Sequence, residues 1–112
     1  MTTKALYKLY RAVEEARKID PEMQAHTFNI FLTVCINPNV TMKDLGERLG
    51  LSQATMSRNI AALGKVHRLN RPGYDLCVAE EDPVERRRKV VNLTPKGKRV
   101  RDALVEIMEQ PS

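Results

Sequence analysis

Cysteine is nearly absent from this chain of 112 residues, and the two present, Cys35 and Cys77, lack the spacing of metal ligands. A reducing compartment argues against a disulfide between them. Cys35 falls on an apolar stripe and Cys77 in an apolar strand, so both read as packing residues, with a redox sensor as the lesser alternative. The two histidines, His26 and His67, have no acidic or cysteine cluster beside them and read as ordinary polar residues. Glycine is sparse too. Gly64-Lys65 has none of the glycine-rich loop that cradles a phosphate. No Ser/His/Asp spacing marks a nucleophile. We therefore expect no enzyme, no catalytic residue, no metal and no cofactor. The first 20 residues lack the apolar core of a signal peptide. The longest apolar run, around residues 30–36, contains Thr33 and is far too short to span a bilayer. Repeats and low-complexity segments are missing as well. The expected location is cytoplasmic, with no membrane partner.

What the chain does have is a soluble composition, 42% hydrophobic and 29% charged, enough for one domain over residues 1–112. A domain of this size buries roughly two-thirds of its unfolded surface. The net charge of +5 is mildly basic and favours a polyanionic partner. It is unevenly spread. Arg86, Arg87, Arg88, Lys89, Lys96, Lys98, Arg99 and Arg101 follow one another with no acid among them, while Glu80, Glu81, Asp82 and Glu85 precede or flank them.

The most informative stretch is residues 41–69, TMKDLGERLGLSQATMSRNIAALGKVHRL. It reads as two helices joined by a tight turn, a helix-turn-helix over about 41–66. Thr41 with Asp44 forms a variant capping box. Met42, Leu45 and Leu49 recur at helical spacing. Gly50 suits the left-handed position past a helix end, and Leu51 fills the angle between the helices. Ser52 is a good N-cap, its hydroxyl facing the free amides of Ala54 or Thr55. In the second helix Met56, Ile60 and Leu63 make a buried stripe. Ala54, Arg58, Ala61 and Lys65 point the opposite way, flanked by Gln53, Thr55 and Ser57. Small residues there leave little bulk to hold the helix away from base edges, and Gln53, Ser57 and Arg58 can hydrogen-bond to them. An ordinary solvated helix is the competing reading.

The next segment, YDLCVAEEDPVERRRKVVNLTPKG, shifts the balance. Leu76, Cys77 and Val78 read as a strand, Asp82-Pro83 as a turn, and Val90, Val91 and Leu93 as a second strand. Thr94 and Pro95 then cap and open a helix. A hairpin over about 75–93 with a basic tip, placed after a helix-turn-helix, is the wing of a winged helix. Taken alone the charged tip is a solvated loop. Beside a groove-reading helix it becomes a phosphate or minor-groove contact.

These segments resemble the MarR family of winged-helix transcription regulators. The resemblance lies in LGLSQATMSRNIAAL, in Glu85-Arg86-Arg87 where the family has Asp-x-Arg, and in the V-x-L-T-x-x-G run of Val91, Leu93, Thr94 and Gly97. It covers roughly residues 25–104. Val66–Pro72 looks like an insertion, with Gly73 at the usual turn, and the chain stops at Ser112, short of the long C-terminal helix of family members. The expectation is a compact, shortened relative, with a small-molecule effector disfavoured as a partner but left open.

In the N-terminal half, Leu6, Leu9, Tyr10, Val13 and Ala16 form one stripe. Asp20-Pro21 is expected to break that helix and to start the next, with Asp20 as N-cap and Pro21 at its first position. Phe28, Phe31, Leu32 and Cys35 form the second stripe, ended by Asn37-Pro38-Asn39. Apolar surface left over at Leu6, Tyr10 and Val13, and on the last helix at Val100, Leu104, Val105, Ile107 and Met108, implies a partner. Terminal helices build the dimer in the resembled family, so the expected partner is a second copy.

The resulting fold class is α+β, mostly α: a winged helix-turn-helix with N- and C-terminal dimerisation helices. The expected function is a sequence-specific regulator of transcription, a repressor, bound to double-stranded DNA as a homodimer. Gln53, Ala54, Ser57 and Arg58 face bases. Ser52 and Thr55 sit near phosphates at the helix N-terminus. Arg86, Arg87 and Arg88 meet the backbone or minor groove. The alternatives are a winged-helix module that binds protein, and a DNA-binding replication or packaging protein.

Overall fold

In the computed structural model, which describes residues 2–66 and 71–111, helices and a small sheet alternate along the chain. In order they are α1 (Thr2–Ile19), α2 (Ala25–Ile36), β1 (Val40–Thr41), α3 (Met42–Leu49), α4 (Gln53–Leu63), β2 (Cys77–Glu81), β3 (Lys89–Leu93) and α5 (Pro95–Glu109). The sheet is antiparallel, ordered β1-β3-β2. This is the expected α+β, mostly helical class.

Helix α2, AHTFNIFLTVCI, is the most apolar of the helices and the centre of the core. Ile30, Phe31 and Val34 are fully buried against residues including Leu45, Met56, Leu63, Leu76, Cys77, Val91 and Leu104. Each such side chain contributes about 1.5–3 kcal/mol through the apolar surface it removes from water. The expected stripe on this helix is shifted. Phe28, Leu32 and Cys35 are only half-buried, while Ile30 and Val34 are the residues sealed in. A helix covered by α3, α4, α5 and β3 is buried on more than one side, and one stripe cannot describe it.

Asp20-Pro21 ends α1 but does not begin α2. Residues 20–24 form a turn in which Asp20 accepts from the Glu22 amide at 2.9 Å and from the Tyr74 hydroxyl at 2.5 Å. The carboxylate that would cap a helix is thereby occupied, and α2 starts at Ala25 with Gln24 as an N-cap that makes no side-chain bond. Tyr74 and Glu22 hold the Asp20 carboxyl below its ordinary value. The short strand β1 has no counterpart among the sequence expectations. It pairs Val40 with Val91 and Thr41 with Val90, and is pinned by reciprocal amide bonds between Asn39 and Asn92.

Helix α1 packs along α5, and its small residues Ala12 and Ala16 are buried. Leu6, Leu9, Tyr10 and Val13 stay exposed, together with Tyr7. The seam on α5 is divided. Leu104 and Ile107 are buried within the chain's own fold, and Val105 and Met108 are half-exposed. Leu104 and Ile107 are therefore not available to a partner, a correction to the expected seam.

The suspected insertion closes on itself through an antiparallel bridge between Val66 and Pro72. His67 and the rest of 67–70 lie outside the described residues. Beyond it the chain folds back on the end of α4, with Tyr74 and Leu76 amides donating to the Ala62 and Leu63 carbonyls. At the entry to α5, Thr94 caps the Gly97 amide at 3.0 Å, and a Cβ on Gly97 would collide with the Leu76 carbonyl. Gly97→Ala must push the chain at Leu76 away from α5, so it should destabilise the fold by about 1–3 kcal/mol, read from urea unfolding at constant m.

Candidate nucleic-acid interface

The two helices of the helix-turn-helix are each closed by a local bond. Thr41 accepts from the Asp44 amide at 3.0 Å. Gly50 ends α3 at φ 65°, a left-handed conformation that glycine adopts without steric cost. The Leu51 amide donates back to the Gly46 carbonyl at 2.9 Å, which turns the chain into α4. Ser52 then caps α4 by accepting from the Thr55 amide at 3.2 Å.

Helix α4 has two unlike faces. Met56, Asn59, Ile60 and Leu63 are buried. Ser52, Gln53, Ala54, Ser57 and Arg58 are exposed. Thr55 is half-buried and already engaged: its hydroxyl accepts from Ser52 at 3.0 Å and from the Arg58 guanidinium at 3.3 Å. The fold thus brings Ser52, Gln53, Ala54, Thr55, Ser57 and Arg58 together at the start of one helix. Beside it lies an open cleft of about 630 Å³ lined by His26, Thr27, Thr55, Arg58, Asn59 and Tyr74, among others.

The hairpin is built around Asp82. Strands β2 and β3 pair from Cys77↔Leu93 to Glu81↔Lys89. Beyond the last pair, the Asp82 amide donates to the Arg88 carbonyl at 3.0 Å. The Asp82 carboxylate accepts from the Val84 amide at 2.9 Å and from the Arg88 guanidinium at 2.8 Å. The Val84 amide first, and then the Glu85 amide and Arg88, hold the Asp82 carboxyl below its ordinary value against the opposing effect of burial. The three arginines expected at the tip are consequently not equivalent. Arg88 is tied back into the hairpin. Arg86 and Arg87 are exposed, and among the described residues neither makes an ion pair or a side-chain hydrogen bond.

Sequence reasoning missed Asp82 as the organiser of the hairpin, although Asp-Pro had marked the turn. It also missed Asn59, a polar residue on the apolar side of α4. Its spacing of three from Met56 was the available signal.

Both thiols are held in the protonated form. Burial pushes Cys77 up to about 12 and half-buried Cys35 up to about 11. A reactive cysteine needs the opposite shift. Among the described residues no cluster of His, Cys, Asp or Glu is arranged to hold a metal ion, and no helix is long and apolar enough to cross a membrane.

No protein-family model and no curated protein matches the chain. Solved structures do. MepR of S. aureus in a DNA complex is 16% identical, with a TM-score of 0.71, over 92% of this chain and 77% of that one. A MarR transcriptional regulator from Methanosarcina mazei Go1 is 23% identical, with a TM-score of 0.64, over 95% and 73%. The transcriptional repressor CouR, bound to a 23-mer DNA duplex, is 20% identical, with a TM-score of 0.65, over 91% of this chain and 65% of its own length. At such identities the likeness is one of fold: the chain is built as the winged helix of MarR-type regulators.

Asp82→Asn keeps the shape of the side chain but leaves a weaker, neutral acceptor for the Val84 amide and sets an NH2 group, which cannot accept, against the Arg88 guanidinium. The Val84 amide should exchange with solvent faster than in the parent, since a neutral acceptor holds it less well than a carboxylate. Because the folded-state carboxyl is depressed, its contribution is present above the ordinary carboxylate value of about 4 and is lost as pH falls through the depressed one. Amide exchange followed by NMR at pH 7 checks the substitution.

Proposed function

We propose that this chain is a sequence-specific regulator of transcription, a repressor, that reads double-stranded DNA with α4 in the major groove and holds the backbone or minor groove with the hairpin as its wing. One observation carries the reading. Gln53, Ala54, Ser57 and Arg58 share an exposed face whose opposite side is locked into the core. A merely solvated helix has no need of so many small residues on its outer face. Gln53, Ser57 and Arg58 reach base edges, Ala54 allows close approach, and Ser52 and Thr55 sit at the helix N-terminus, where phosphates are favoured. Arg86 and Arg87 are the wing cations, and Arg88 is their support. DNA in the MepR and CouR complexes is the partner class this geometry fits.

The active form is a homodimer. The exposed residues Leu6, Tyr7, Leu9, Tyr10 and Val13 of α1, and Val105 and Met108 of α5, supply the apolar surface for a second copy. Two copies related by a two-fold axis place their α4 helices one DNA turn apart and read a palindrome.

Selection from random duplex DNA tests the reading directly, and a palindromic consensus is the expected result. Binding that does not weaken with salt would favour a protein-interaction module. Binding that enriches no sequence would favour a packaging role. Arg58→Ala should cost about 1–3 kcal/mol at the selected site and relax one base pair of it, measured by titrating the site and its single-base variants. Replacing Arg86 and Arg87 by Ala should weaken binding to all duplexes alike. The slope of log K against log salt should then flatten by about 1.8, at about 0.9 per phosphate contact.

A further inference from the structure

Asn59 stands where an apolar residue would be the simple choice. It faces inward with Met56, Ile60 and Leu63 and is only 7% exposed. Its amide is nonetheless engaged at both ends. Thr27, on the first turn of α2 and 5% exposed, donates its hydroxyl to Asn59 Oδ1 at 2.5 Å. Asn59 Nδ2 donates to the Thr55 carbonyl at 2.8 Å. A directional bond therefore crosses from the central helix to α4, level with the turns that carry Gln53, Ala54, Ser57 and Arg58. Thr55 is also the residue whose hydroxyl receives Arg58.

Apolar packing alone is non-directional. It tolerates small rolls and slides of one helix on another, and a shift of an ångström changes which base edge a side chain reaches. A hydrogen bond between two side chains this little exposed, at the wall of the cleft, tolerates much less, because breaking it leaves largely desolvated polar groups without their partners. We infer that Thr27 and Asn59 are positioning residues, which fix the roll and register of α4 and so decide which base edges Ser57 and Arg58 meet. Neither touches DNA. The inference rests on the proposed reading of α4 as the groove-reading helix.

Three variants of the full chain test it: Thr27→Ser, Thr27→Val, and Thr27→Val combined with Asn59→Leu. The readouts are the consensus enriched from random duplex, the ratio of affinity for that site to affinity for a scrambled duplex, and the unfolding temperature. Thr27→Ser keeps the hydroxyl and should keep the parental ratio. Thr27→Val should lower the ratio about tenfold, the scale of one base-edge contact, with the salt slope on scrambled DNA unchanged. The double variant removes both polar partners and should regain stability lost by Thr27→Val without regaining the ratio. A parental consensus and ratio in the double variant would overturn the inference and leave the DNA-reading function intact. Thr27→Val is nearly isosteric, so should the double variant not fold, a parental ratio in Thr27→Val overturns the inference in its place. A parent that enriches no sequence overturns both readings, and is thereby told apart from a failure of the positioning pair alone.

Discussion

The inward face of α4 is held by α2, and everything the molecule presents outward follows from that contact. Met56, Ile60 and Leu63 join Ile30, Phe31 and Val34 in one core. A short helix of 11 residues is marginal on its own in water, so it is this burial that makes α4 a helix at all. Because apolar residues recur every three or four positions, holding one side leaves the other side free. The small and polar residues at positions 53, 54, 57 and 58 are on that free side as a geometric consequence. Gly50 and Ser52 then set the angle between α3 and α4, and the caps at Thr41 and Ser52 are each worth on the order of 1 kcal/mol.

The hairpin obeys a different constraint, that of charge. Arg86, Arg87, Arg88 and Lys89 crowd the tip of the β2–β3 hairpin and repel one another unless some are neutralised. Asp82 takes one of them, Arg88, and with the same carboxylate binds the Val84 amide. That pair is partly exposed on the arginine side, so its Coulombic share is small; the backbone bonds around Asp82 matter more. What remains outward is a pair of unneutralised arginines on a fixed turn, an arrangement whose electrostatic attraction to phosphates costs little reorganisation.

Much of the fold was legible because its signals are local. Thr41, Ser52 and Thr94 accept from amides three residues on, Gly50 takes the left-handed turn at a helix end and Pro95 opens a helix, and each stands in the structure where its residue type predicts. The strands of the wing were readable from Val90, Val91 and Leu93 and from the Asp-Pro turn. Features that depend on distant partners were not. Asp20 looked like a helix cap, yet Tyr74, 54 residues away, claims its carboxylate. Strand β1 has two residues, too few for any periodicity, and exists because β3 offers an edge. The stripe of α2 was misplaced since a central helix has no single buried side. Within the candidate site, the residues facing outward on α4 were legible from helical spacing. The Arg88–Asp82 tie and the Thr27–Asn59 bond, which joins residues 32 apart, depend on how the chain folds back.

Entry of α4 into a major groove, with its exposed face toward base edges, is the central claim. Dimethyl sulfate methylates guanine N7 in that groove and so reports on its occupancy. On a duplex carrying the selected site, the protein should shield guanine N7 in two patches centred about 34 Å apart, one helical turn, and Arg58→Ala should unshield a single guanine in each. Full binding with every guanine N7 left as reactive as in free DNA would contradict it.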